Sequence, residues 1–165
     1  MKLETPDGRF FSLTIERYEF PDEELGPTED NPADDFCTGR FLIVSHTFRN
    51  PDGEWNASGP TMTTSELQRF IDWLDSIRLG DTSILDSDSI NGVYFTERDL
   101  EFTVDEASQN LRVHVSFGFL PSWGNSAETV TIEFPLKHVN LDRVIASLEQ
   151  QLARFPGLPP IENAT

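Results

Sequence analysis

The chain has 165 residues, 12 Lys and Arg against 29 Asp and Glu, a formal net charge of −17 and a single cysteine, Cys37. A chain of that length is expected to form one domain, residues 1–165, that stabilises itself without disulfides or metal, and its 13 Phe place it among folded chains despite the charge. A pI near 4.3 argues against nucleic acid and anionic membranes, whose phosphates reward Lys and Arg. No run of apolar residues is long enough to span a membrane, and Met1-Lys2-Leu3-Glu4 does not open a signal peptide, so a cytoplasmic location is expected.

The first predicted strand covers residues 9–18, where Phe11, Leu13 and Ile15 alternate with Ser12, Thr14 and Glu16. Residues 21–36 carry Asp22, Glu23, Glu24, Glu29, Asp30, Asp34 and Asp35 without a base and read as an acidic loop. A second strand over 39–49 has an apolar stretch, Phe41-Leu42-Ile43-Val44, suited to a central position. Asn50-Pro51-Asp52-Gly53 has the composition of a turn. Next comes a helix over 63–79. Thr63 and Glu66 form a capping box at its start, Met62 and Leu67 a hydrophobic staple, and Gly80 a left-handed C-terminal cap.

Four short strands are then predicted by alternation: Val93 and Phe95; Leu100, Phe102 and Val104; Leu111, Val113, Val115 and Phe117; Val130, Ile132 and Phe134. Asn140 caps a second helix with Leu141, Val144, Ile145, Leu148 and Leu152 on its apolar stripe, and Pro156-Gly157 ends it ahead of a short tail, 157–165. The order implies an α+β fold: a mostly antiparallel sheet of about six strands, both helices on one face and the other face open. That open face should present Glu101, Thr103 and Asp105; Arg112, His114 and Ser116; and Thr129, Thr131 and Glu133.

Motifs for chemistry are missing. There is no nucleophile elbow, phosphate loop, dinucleotide fingerprint or His-Glu-x-x-His. His46 and His114 fall on predicted strands and could form a metal or acid/base site if those strands paired; the plainer expectation is that these two and His138 are surface polar residues. Asp86 to Gly92 misses the calcium-loop register, with Ile90 at position five and Asn91 at six. Cys37 has no neighbouring base. Trp73 belongs to the helix's apolar stripe, Trp123 is expected to plug the end of the core, and Trp55 is open between core and binding anchor. No cofactor or metal is called for.

The acidic excess exceeds what solubility requires of a small domain, roughly 2 to 8 charges. It fits a surface that steers and docks a basic partner, the plainer alternative being that the acids of 21–36 only solubilise a loop. First-choice contacts are the seven loop acids, followed by Glu101, Asp105 and Glu133 on the open face. Rival readings are a small-ligand or adaptor domain with a cleft near Trp55 and Trp123, and an enzyme built on His46 or His114.

One stretch carries a family likeness. Between Phe41 and Leu74 stand Asp52-Gly53-x-Trp55, then Pro60-x-Met62-x-Thr64-x-Glu66-Leu67, then Trp73-Leu74; Phe134-Pro135-Leu136 and Arg154-Phe155-Pro156 follow later. With these the chain resembles the WapI-type immunity proteins. The resemblance implies a non-enzymatic inhibitor that binds the C-terminal toxin tip of a secreted, wall-associated polymorphic toxin that cleaves RNA in neighbouring cells. It supplies no catalytic residues and no mapped contact positions.

Overall fold

A computed structural model describes residues 1–19, 41–80, 92–105, 107–123 and 129–156. Among them are eight strands and two α-helices: β1 (Lys2–Glu4), β2 (Phe10–Tyr18), β3 (Phe41–Asn50), β4 (Gly53–Thr63), α1 (Thr64–Leu79), β5 (Gly92–Tyr94), β6 (Leu100–Asp105), β7 (Asn110–Val115), β8 (Val130–Pro135) and α2 (Leu141–Arg154). They form two antiparallel four-stranded sheets, ordered β1-β2-β3-β4 and β5-β6-β7-β8. The α+β class holds, but two sheets replace the expected single sheet of about six strands. β1 is a three-residue edge, and β4 lacks alternation: Asn56-Ala57-Ser58-Gly59-Pro60 has poor strand propensity.

Pairing to β3 makes β4 a strand. Phe48 faces Trp55 and His46 faces Ala57, while Thr47 donates to Asn56 at 2.7 Å and Arg49 pairs with Glu54 at 2.7 Å. β3 is central, as its apolar stretch predicts: Leu42 and Val44 are fully buried and Ile43 nearly so. β4 is the outer strand of its sheet, and Pro60 sits there opposite Ile43. The register slips between Leu42 and Ile43, leaving Thr61 as the extra residue of a bulge.

Both helices begin and end as their sequences dictate. Thr63 accepts from the Glu66 amide while the Glu66 carboxylate accepts from the Thr63 amide, closing the capping box, and Gly80 adopts φ 68° at the C-terminal end. Asn140 accepts from the Arg143 amide at the start of α2. The second Glu66 oxygen accepts from the amide and hydroxyl of Thr96, at 2.8 and 2.7 Å, so this buried carboxylate ties α1 to the segment that follows β5.

The inner faces of both sheets and the apolar stripes of both helices share one core. Phe11 of the first sheet meets Phe102 of the second edge to face, and Phe70 of α1 lies on Phe102 at 4.4 Å. Trp73 stacks near Phe70 and is buried, as its place on the stripe predicts. Gln151 of α2 inserts into the first sheet, its carbonyl accepting the Ile15 amide at 2.7 Å where β2 shifts register before Arg17. No described helix is long and apolar enough to cross a membrane.

Candidate functional site

The outer face of the second sheet presents the residues that alternation assigns to it, laid out in rungs. Across β6, β7 and β8, Thr103 faces Arg112 and Arg112 faces Glu133; Glu101 faces His114 and His114 faces Thr131. The Arg112 guanidinium is the hub of the first rung, reaching Glu133 at 2.8 Å through Nε and Asp105 at 2.6 Å through Nη2. Hydrogen bonding to Glu133, then the charges of Asp105 and Glu133, raise the Arg112 pKa. Asp105 is held below the usual carboxylate range first by hydrogen bonds from Ser108, with the charge of Arg112 adding to them. The face therefore carries three carboxylates against one guanidinium, with two of the carboxylates oriented by that base.

His114 stands on the neighbouring rung with both ring nitrogens engaged, one to Thr103 at 2.8 Å and one to Thr131 at 2.9 Å. Partial burial lowers its pKa, an effect that the charge of Glu101 partly offsets. Ser116 and Thr129 close the row at 2.9 Å. At the β5 edge Glu101 lies beside the half-exposed Tyr94; burial, then the Glu101 charge and hydrogen bond, push the phenol pKa up. This is a polar, acidic surface whose described hydroxyls and imidazole are engaged with one another.

His46 corrects its expectation. It is 1% exposed, enclosed by the rings of Phe11, Phe48 and Phe119, and it sits in a different sheet from His114. Its Nε2 lies 3.2 Å from Oγ1 of Thr61, the bulged residue, and that hydroxyl is 3.1 Å from the Gly59 carbonyl. If the hydroxyl donates to the carbonyl, it accepts from Nε2–H, which fixes the neutral tautomer and leaves the unpaired Nδ1 as an acceptor rather than an orphaned donor. Burial lowers the His46 pKa to about 3. An enclosed neutral ring among phenylalanines is a core residue, and no cluster of metal-ligating side chains occurs among the described residues. His138, by contrast, is exposed.

The tryptophans divide differently from expectation. Trp55 is buried, stacked on Phe48 at 5.0 Å, with its indole N–H donating to the Phe119 carbonyl at 2.9 Å. Trp123 is no plug: it is 51% exposed and lies edge-on to Trp55. A Cβ on Gly53 would meet its ring at 3.3 Å. Two grooves, of about 330 and 610 Å³, flank Asn140 and are lined by neither tryptophan.

Phe117 also departs from expectation. Alternation puts it on the inner face of β7, yet that strand ends at Val115 and Phe117 is 69% exposed with φ +47°, while Phe119 takes the core position. The left-handed turn falls on Phe117 itself rather than on the adjacent Gly118, so the sequence carried no local signal for it. The seven loop acids, Asp22 to Asp35, lie outside the described residues, as do Cys37, most of the calcium-like stretch and the 157–165 tail.

The family model described as the immunity protein WapI-like family matches residues 2–156. No curated protein matches the chain.

Proposed function

Since the chain belongs to the WapI-like immunity protein family, we propose that it binds and neutralises the C-terminal toxin domain of a polymorphic secreted toxin. The match over nearly the whole chain carries this reading. We further propose that the toxin domain is a basic nuclease and that docking runs through acidic surface. A nuclease needs a cationic surface to hold its phosphate-bearing substrate, and a protein of net charge −17 can cover that surface by offering carboxylates in place of phosphates.

In this reading the acids of residues 21–36 make the first contacts and Glu101, Asp105 and Glu133 the second. The outer sheet face supports a role as a rigid template, because Arg112 presents two of its three carboxylates in a set orientation. The protein acts as a stoichiometric inhibitor in the cytoplasm of the producing cell, without cofactor, nucleic acid or membrane.

Calorimetric titration against the C-terminal domain encoded by the neighbouring toxin gene tests the proposal. Nanomolar binding that weakens steeply between low and near-physiological salt is expected. Tight binding indifferent to salt would overturn acidic docking while keeping immunity. No binding at either salt would overturn both.

A further inference from the structure

The connection between β7 and β8 carries two of the large apolar side chains that the described residues leave exposed, Phe117 and Trp123. Everything beneath them is fixed. The Ser116 amide donates to the Asp99 carbonyl at 2.9 Å and the Gly118 amide to the Asp99 carboxylate at 3.1 Å, so one residue grips the backbone on either side of Phe117. Phe119, two residues on, packs against His46 and so close over Gly59 that a Cβ there would meet its ring at 3.3 Å, and its carbonyl receives the Trp55 indole. Trp123 rests on Trp55 and against Gly53.

A phenylalanine at φ +47° is strained, since a bulky side chain crowds its own backbone there, and such strain persists only where the surroundings enforce it. Here the strain gains no burial, because it turns the ring into solvent. The surroundings are acidic. Asp52 and Glu54 flank Gly53, Asp99 lies beneath Gly118, and the bases in these segments are Arg49, paired with Glu54, and Arg98, flanked by Glu97 and Asp99.

We infer that Phe117, with Trp123 six residues further along the same connection, is the apolar anchor by which this protein grips its toxin domain, and that the partner's surface offers an apolar pocket with a basic rim. The inference rests on the immunity reading and deepens it: carboxylates steer the encounter, and a preset aromatic side chain holds the complex. Rigid aromatic anchors supply most of the energy at protein interfaces because they bury large area with little loss of freedom.

The test is calorimetry of the full chain against the purified C-terminal domain of the neighbouring toxin, with Phe117→Ala, Phe117→Gly and, as a control, Leu79→Ala at the exposed end of α1. Both Phe117 variants should weaken Kd at least about thirtyfold. Phe117→Gly should do so with an unchanged or higher Tm, since glycine accepts φ +47° without strain. The salt dependence of Kd should stay that of the wild type because no charge is removed, and Leu79→Ala should bind normally. Wild-type affinity in both Phe117 variants, or an equal loss in Leu79→Ala, would overturn the anchor and leave immunity standing. Failure of the wild-type protein to bind would overturn both.

Discussion

Replacing His46 with Phe keeps a planar ring among Phe11, Phe48 and Phe119 but removes the group that must stay neutral for the core to close. Its pKa stands near 6.5 in the unfolded chain and about 3 in the folded one. A depressed folded pKa means that the unfolded state takes up the proton first. The contribution to stability is therefore complete above pH 6.5 and is lost as the pH falls from 6.5 towards 3. At about 1.4 kcal/mol per unit, lowering the pH from 7 to 4.5 should cost between 2 and 3 kcal/mol through this one residue. For a chain of this size that is a Tm difference of roughly 5 to 10 °C.

Carboxylates also titrate over this range, so the quantity to read is the difference between two proteins. Urea unfolding of the wild type and of His46→Phe at pH 7 and 4.5 gives two stability losses, of which the wild type's should be larger by between 2 and 3 kcal/mol. Parallel curves, within about 0.5 kcal/mol, would refute the reasoning: His46 would then be hydrated or paired rather than enclosed.

Glu66→Ala should lower stability by about 3 to 5 kcal/mol in chemical denaturation, since it removes the capping box and leaves the Thr96 amide without its acceptor. Glu66→Gln should cost less but more than 1 kcal/mol, because its amide nitrogen must face an N–H donor on one side; a neutral substitution would refute the two-sided acceptor role. Arg112→Gln frees Asp105 and Glu133 from their shared base, and stopped-flow mixing with the toxin domain should show association several-fold faster at low salt. An unchanged rate would remove the sheet face from the encounter. Neutralising Asp22, Glu23, Glu24, Glu29, Asp30, Asp34 and Asp35 together should slow association and flatten its dependence on salt, and unaltered kinetics would discard the 21–36 segment as a contact.

What the sequence revealed follows from where its signals are local. Thr63, Glu66 and Gly80 bracket α1 with side chains that act within one turn, so both ends were legible. Alternation placed Glu101, Arg112 and Glu133 on the open face because strand period depends on nothing beyond the strand itself. β4 was hidden because its strand character is conferred by β3 across the ladder, not by its own residues. The second sheet was hidden for a related reason: periodicity gives the face of a strand but not its neighbours. His46 looks like a surface residue until the bulge at Thr61 supplies a hydroxyl for its ring. Phe117 left its alternation pattern where the carboxylate of Asp99, nineteen positions before Gly118, captures the Gly118 amide.

The eleven-residue β4 at the rim of the first sheet has one further consequence. Among the described residues no strand pairs with its far side, and a long outer strand is a template on which a second copy could add, copies adding in turn making a fibre. Pro60 has no amide hydrogen to offer such an addition, and Gly59 brings no side chain to knit it. The poor strand propensity of this segment thus weakens it as a template for further copies.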